Sequence, residues 1–230
     1  KITLLSGYGM TEATGGITMT PPENYIVNSV GKALPGINLK LANDNELLLQ
    51  GDYVTRGYYK DDIDGTFINN WFHTGDIFNY KKGHYFIVDR KKEIYKNSRG
   101  QTISPQKIEN LFQDFESIKS VFLIGDGKEF NTLLLYPDSE NKSIDIAEMS
   151  SDEKRTYYSS LVFSVNSFLP SYERIVNYVI ISRDFEHNKD ELTTKNTYKR
   201  KNIIKNFNHI IKPMYEKNYI SLIHGNYEIQ

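Results

Sequence analysis

The run Val88-Asp89-Arg90-Lys91-Lys92-Glu93-Ile94-Tyr95-Lys96 marks the place where one sequence pattern gives way to another. Upstream of it, turn-forming residues recur at short intervals, as at Gly7, Gly9, Pro21, Pro35, Gly51 and Gly75. Short apolar runs at 37–41, 46–50 and 84–88 lie between them, and the combination predicts short strands joined by turns. Downstream, strands alternate with amphipathic helices. Ser104 followed by Pro105 reads as a helix cap and first helical residue, and Ile108, Leu111, Phe112 and Phe115 repeat on one face. The runs 120–125 and 131–136, joined through Asp126-Gly127, read as paired strands. Asp152 is expected to cap a second helix with the stripe Tyr158, Leu161, Val162, Val165 and Phe168, ending before Pro170. A strand at 176–182 follows, and then a helix carrying Ile203, Ile204, Phe207, Ile210 and Ile211 that Pro213 closes. The chain is therefore expected to be α+β in two parts, 1–88 and 89–230.

Composition narrows the function classes. Lys plus Arg total 28 and Asp plus Glu 29, a net charge of −1 over 230 residues, so neither a basic nucleic-acid surface nor an acidic tail organises the chain. No nucleic-acid partner is expected. No apolar run reaches the ~18–20 residues that cross a bilayer, and the first ten residues lack the layout of a signal peptide. Contact with a membrane surface stays open. Zero Cys removes disulfides, thiolate nucleophiles and thiolate metal sites, and fits a reducing compartment such as the cytoplasm. The five His, at 73, 84, 187, 209 and 224, lack the spacing of a helical zinc motif.

Three clusters carry candidate chemistry. In Ser6-Gly7-Tyr8-Gly9-Met10-Thr11-Glu12 the glycines beside an aromatic ring let backbone and ring approach a flat ligand, and the hydroxyl and carboxylate that follow could hold a phosphate and its Mg2+. A plain glycine-rich turn is the alternative. In Trp71-Phe72-His73-Thr74-Gly75-Asp76 a carboxylate after a tight turn could accept both hydroxyls of a ribose, or could bond only its own turn. The charged run at 89–93 could be a solvated edge strand guarded by lysine.

Order decides among these alternatives. Glu12 precedes Asp76 by 64 residues, Asp76 precedes Arg90 by 14, and Pro105-Gln106-Lys107-Ile108-Glu109 follows. Taken with Val30-Gly31-Lys32-Ala33-Leu34-Pro35-Gly36, Glu46-Leu47-Leu48-Leu49-Gln50-Gly51 and Arg56-Gly57-Tyr58-Tyr59, these stretches resemble the adenylate-forming superfamily of acyl-CoA synthetases, nonribosomal-peptide adenylation domains and luciferases. The run Asp89-Arg90-Lys91-Lys92-Glu93-Ile94-Tyr95-Lys96 with Ser98 and Gly100 is most similar to the long-chain fatty acyl-CoA synthetase branch.

The resemblance implies a fold, a reaction and roles. Residues 1–88 would be the β-rich end of the large AMP-binding domain, and 89–230 the small mobile α+β C-terminal domain, with the hinge at 89–92. A carboxylate, fatty in this branch, would be activated by ATP as acyl-adenylate and captured by coenzyme A. Tyr8, flanked by Gly9, would stack on adenine, Thr11 would touch phosphate, and Glu12 would help hold Mg2+. Asp76 and Arg90 would bind the ribose, Lys92 would be the hinge residue, and Gly100 would lie on the loop that meets the pantetheine arm.

Two departures from the family pattern qualify this. The family's glycine-rich phosphate loop should precede Tyr8, and no such segment occurs in the 230 residues; Gly125-Asp126-Gly127-Lys128 reads as a hairpin turn. The chain is expected to be the C-terminal portion of a synthetase, inactive by itself. The family's lysine near the C terminus falls on Thr197, with Lys195 and Lys199 each two residues away and either able to serve. An acyl carrier protein thiol in place of coenzyme A, or a non-catalytic relative that binds nucleotide or a partner, are the alternatives.

Overall fold

Backbone turns that few residues tolerate shape the first ninety residues. The computed structural model describes residues 4–58, 67–138, 146 and 148–216. Tyr59, which ends one of the matching stretches, lies outside the described residues. The chain divides into two compact units, Lys1–Lys92 and Glu93–Gln230.

In the first unit β1 (Gly7–Met10) pairs antiparallel with β2 (Gly15–Met19), and β2 with β3 (Lys32–Ala33). A Cβ on Gly9 would stand 2.2 Å from the Gly15 carbonyl oxygen, so the close approach of β1 and β2 requires glycine there. A five-stranded antiparallel sheet follows, built from β4 (Ile37–Leu41), β5 (Glu46–Gly51), β6 (Phe67–Ile68), β7 (Trp71–Lys81) and β8 (His84–Arg90). The eleven-residue β7 is its spine and pairs with β5, β6 and β8. Lys82 and Gly83, both at positive φ, make the two-residue turn that sets the β7–β8 register. Ile17, Leu47, Leu49, Phe72 and Phe78 form the buried core of this unit.

The second unit begins with β9 (Tyr95–Lys96) and β10 (Thr102–Ile103), which enclose a short loop. Helix α1 (Pro105–Glu109) follows, and then a sheet of β11 (Ile118–Ile124), β12 (Asn131–Pro137) and β13 (Ile175–Ile180). β11 and β12 are antiparallel and β12 and β13 parallel, so α2 (Ser151–Ser167) lies on the crossover that a parallel pair requires. Alternate residues separate two cores. Val121, Leu123, Leu133, Leu135 and Tyr178 pack with α1 and α2, whereas Phe122, Ile124, Leu134 and Val179 pack with α3 (Arg200–Asn206) and α4 (Asn208–Ile211). Both faces of the sheet are covered, which is why its strands read as unbroken apolar runs.

The helices depart from expectation in four places. The helix opened by Ser104 and Pro105 ends at Glu109 and tightens into a 3-10 turn over Asn110–Phe112, short of Phe115. A five-residue helix has no stability of its own; burial of Ile108 and Phe112, 0% and 1% exposed, holds it. The expected final helix breaks at Phe207 into α3 and α4. The α2 cap is Ser150, not Asp152: Ser150 accepts from the Glu153 N–H, and Glu153 accepts from the Ser150 N–H at 2.8 Å, a complete capping box. Phe168 falls off the buried stripe and is 78% exposed, because it is the C-cap residue.

Ser150→Ala is expected to destabilise the second unit by about 1 kcal/mol and to lower its melting temperature by about 2–4 °C. Asp152→Ala should leave the thermal transition within about 0.5 kcal/mol of the parent. The reverse order, read by calorimetry, would return the cap to Asp152.

Candidate active site

A glycine at φ +71, inside an otherwise extended strand, creates the first unit's site. Gly75 kinks β7, and its N–H donates to Glu46 Oε1 at 2.9 Å. Thr74 donates to the Leu47 carbonyl at 2.8 Å and accepts from the Asp76 N–H at 3.1 Å. Asp76 then stands directly opposite Arg90 across the β7–β8 pair. Arg90 Nε lies 2.8 Å from Asp76 Oδ1, and the Tyr8 hydroxyl donates to Oδ2 at 2.6 Å.

Thus the structure brings together Tyr8, Asp76 and Arg90, three residues that the sequence separates by up to 82 positions. Burial pushes the Asp76 carboxyl above the usual range, and the Tyr8 hydrogen bond and the Arg90 guanidinium work against that push. The Tyr8 hydroxyl is also raised, by burial and by the Asp76 carboxylate, so it remains a donor. An ionised carboxylate offers about four acceptor positions. Tyr8 and Arg90 occupy one on each oxygen, and one more per oxygen remains, the number needed for a vicinal diol. The Tyr8 ring packs edge-on against Phe78 at 4.9 Å.

Thr11 and Glu12 lie on the 3-10 turn Thr11–Ala13 that leaves β1. Glu12 Oε1 accepts from the Tyr58 hydroxyl at 2.7 Å, and its carbonyl accepts from the Thr55 N–H. Among the described residues no three acidic or His side chains are grouped to hold a metal. One half-exposed carboxylate beside a hydroxyl does not make a metal cage; it fits Mg2+, which retains water and is held jointly by one or two carboxylates and substrate phosphates.

Glu46 is the residue framing the candidate site whose part sequence reasoning passed over. It is 3% exposed, and besides the Gly75 N–H it accepts from His73 Nδ1 at 3.0 Å and Lys91 Nζ at 2.8 Å. Burial would raise its pKa, but Lys91, His73 and the Gly75 N–H together hold the carboxyl below the ordinary range. Lys91 Nζ also reaches Asp44 at 2.7 Å, and the Lys91 N–H donates to the Gly75 carbonyl. One carboxylate therefore fixes the kink before Asp76 and the strand end after Arg90. A signal was present: Glu46 opens the apolar run Leu47-Leu48-Leu49, and a charged side chain in a buried strand demands partners.

In the second unit the candidate lysines sit on different footings. Lys199 Nζ is paired with Asp190, whose carboxyl that ammonium holds below its ordinary range. Thr197 is committed as well, its hydroxyl 2.7 Å from that of Thr193. Lys195 lies exposed at the tip between them, and its ammonium has no hydrogen-bond partner among the described residues. Gly100, at φ +77, is on the loop between β9 and β10, where a Cβ would meet nothing within 4 Å. That loop is tied by Asn97, whose Oδ1 accepts from Arg99 and Gln101 N–H, and by the Ser98 N–H donating to the Lys128 carbonyl in the β11–β12 turn. Lys92 is exposed and makes no hydrogen bond or ion pair among the described residues.

Comparison with known proteins gives a consistent result. Residues 93–219 match the family described as AMP-binding enzyme C-terminal domain, and residues 1–59 the one described as AMP-binding enzyme. The putative fatty-acid–CoA ligase fadD11 of Mycobacterium tuberculosis is 32% identical over 228 residues, covering 90% of this chain and 39% of its own length. Long-chain-fatty-acid–CoA ligase 6 of Rattus norvegicus is 35% identical over 155 residues, covering 58% of this chain and 22% of its own. The chain spans about two fifths of the length of fadD11. The solved adenylation domain of a carboxylate reductase from Mycobacterium chelonae superposes with a TM-score of 0.73 at 19% identity, over 92% of this chain and 34% of that one. O-succinylbenzoate coenzyme A synthetase from Bacillus subtilis, solved with ATP and magnesium, gives 0.64 at 20% identity, over 86% and 40%. At these identities the likeness is one of fold.

Because the folded Glu46 carboxyl titrates below its unfolded value of about 4.3, its stabilisation is complete above that pH and is lost as the pH falls through the folded value. Glu46→Gln should cost the first unit about 1.5–3 kcal/mol at pH 7, and the gap between variant and parent should narrow below about pH 4. Denaturant titrations at the two pH values check this; a gap independent of pH would mean that Glu46 acts by packing alone.

Proposed function

The chain belongs to the AMP-binding enzymes, and from that premise we propose that it is part of an ATP-dependent acyl-CoA synthetase acting on a fatty carboxylate in the cytoplasm. The observation that carries the reading is the Asp76 carboxylate, clamped between Tyr8 and Arg90 with an acceptor position left on each oxygen. Such a group suits the two ribose hydroxyls of a nucleotide. The names borne by fadD11 and its relatives support the fatty acid and coenzyme A.

A carboxylate is a poor electrophile. In the first step its oxygen attacks the α-phosphorus of ATP, a P–O bond forms, the bond to the β-phosphate breaks, and pyrophosphate leaves. In the second the sulfur of coenzyme A attacks the acyl carbon, AMP leaves with the bonding electrons, and the thiol proton is released. Neither step needs a covalent enzyme intermediate; positioning and positive charge lower the barriers. Asp76 and Arg90 anchor the ribose, Tyr8 lies beside the base, and Gly9 allows the backbone approach. Thr11 would touch phosphate and Glu12 would help hold Mg2+, which neutralises phosphate charge when bound. Lys195 is the lysine read as meeting the acyl carboxylate, because Asp190 occupies Lys199 and Thr193 occupies Thr197. The loop of Gly100 would receive the pantetheine arm, and Lys92 is the proposed hinge residue in the expected segment 89–92.

A carrier-protein thiol is the second reading. The Gly100 loop would suit a pantetheine arm on either acceptor, and a solved structural neighbour, from Segniliparus rugosus, is an A-PCP didomain. Acyl transfer assayed with coenzyme A and with a holo carrier protein, each as sole acceptor, decides between them; transfer to neither would leave a nucleotide-binding relative.

In the full-length protein Asp76→Ala should raise the KM for ATP and lower kcat/KM by about 10- to 150-fold, the equivalent of about 1.5–3 kcal/mol for a hydrogen bond to a charged group. An unchanged ATP dependence would reduce Asp76 to a turn residue. Lys195→Ala should slow adenylation by about 10²-fold or more, with Lys199→Ala affected far less. If instead Lys195→Ala is silent and Thr197→Lys accelerates adenylation, the assignment of Lys195 is wrong.

A further inference from the structure

Arg200 follows the lysine-bearing segment directly, and its side chain turns inward. Nε donates to Glu93 Oε2 at 2.5 Å, Nη2 to Glu109 Oε2 at 2.6 Å and Nη1 to the Leu123 carbonyl at 3.3 Å. The guanidinium lies 4.8 Å over the Phe122 ring. Glu109 uses its other oxygen to accept from the Leu123 N–H at 2.8 Å. The side chains of Arg200 and Glu109 are 15% and 7% exposed, and that of Glu93 is 34%. This is a planar fork spread over two carboxylates, an arrangement that a lysine ammonium cannot reproduce.

The same segment is fastened at its other root. Glu191 is fully buried and takes a bidentate fork from Arg183, at 2.8 and 2.6 Å, together with the Glu186 N–H and Asn206 Nδ2. Between the roots the Lys199 N–H donates to the Glu191 carbonyl, Leu192 bridges to Tyr198, and the Thr193 N–H donates to the Thr197 carbonyl. The Tyr198 ring is set edge-on to Phe122 and Phe185. Residues 191–200 are therefore a closed hairpin with Lys195 at its tip.

Glu93 is the first residue of the second unit and follows Lys92 in the chain. We propose that Arg200 is a positioning residue: its fork to Glu93 and Glu109 binds the root of the lysine hairpin to the residue that follows Lys92, so that the tip is placed by the backbone at Lys92 and not by loop freedom. This rests on the role given above to Lys195. The Gly100 loop is held by Asn97 and the Lys128 carbonyl, contacts that Arg200 does not share, so adenylation should depend on the fork and thiol capture should not.

The test uses Glu93→Ala in the full-length protein. Glu93 is one-third exposed, so its removal leaves the buried Arg200–Glu109 pair and the fold in place. Carboxylate-dependent pyrophosphate release should fall about tenfold in kcat with the KM for ATP unchanged, and thiol capture from preformed acyl-adenylate should stay within about twofold. Glu93→Gln, which keeps an acceptor oxygen, should recover part of the loss. Amide hydrogen exchange should quicken about tenfold across 192–199 and remain unchanged across 97–101. Equal loss in both half-reactions, or unaltered exchange across 192–199, would overturn the proposal. A parent protein without any adenylation activity would overturn the function proposed above, and the exchange difference would still decide for or against the fork.

Discussion

A carboxylate shut away from water must be ringed with donors, and the first unit is arranged to ring Glu46. Its three donors come from separate points: His73 and the Gly75 N–H on β7, and Lys91 just past β8. Those points bracket Asp76 and Arg90, so the charge that needs satisfying also sets the distance between the residues of the candidate site. The cost of leaving such a carboxylate unpaired, about 3–5 kcal/mol, is what fixes the kink at Gly75, and no side chain of the site itself has to supply that energy. Asp76 itself is buried, and that burial pushes its carboxyl above the usual range while Tyr8 and Arg90 hold it in place.

In the second unit the governing constraint is a sheet buried on both faces. The parity of β11, β12 and β13 sends Phe122, Leu134 and Val179 to one core and Val121, Leu133 and Tyr178 to the other. A slip of one residue would exchange the two sets, and with them the floor on which Arg200 lies, since Phe122 and the Leu123 carbonyl both belong to β11. Strand register and the placement of the lysine hairpin are thus one requirement.

Strand positions were legible because period-two burial and turn residues are local properties: 37–41 and 84–88 fall within β4 and β8, and Asp126-Gly127 lies in a hairpin turn. The α+β class followed from the patterning on either side of 89–96, and the family from short motifs in order. Helix ends were less legible. Asp152 and Ser150 are equally good caps by type, and the choice fell to Ser150 because Glu153 stands three residues after it. The break at Phe207 depends on core packing that no helical stripe encodes. The site was legible as types of residue and not as bonds: Asp76 and Arg90 could be singled out, whereas the Tyr8 hydroxyl on Asp76, the Glu46 hub and the Arg200 fork join residues 68, 29 and 107 positions apart. Nothing in the local sequence distinguishes Lys195 from Lys199 either; only the presence of Asp190 opposite Lys199 does.

The neighbours of Lys92 give physical content to the proposed hinge. On one side Lys91 is fastened twice, by its N–H to the Gly75 carbonyl and by its ammonium to Asp44 and Glu46. On the other, Glu93 is fastened to Arg200. The residue between them has no hydrogen bond of its own among the described residues and an exposed side chain that nothing constrains. In the proposed hinge, the ψ of Lys91, both dihedrals of Lys92 and the φ of Glu93 can turn without breaking these contacts, whereas the φ of Lys91 and the ψ of Glu93 cannot, since that would cost charge-assisted bonds worth about 1.5–3 kcal/mol each. A pivot of this kind needs no glycine; it needs two well-anchored neighbours. Within the charged run 89–93, Asp89 and Arg90 end the edge strand β8, and the proposed hinge residue Lys92 follows between two anchored neighbours.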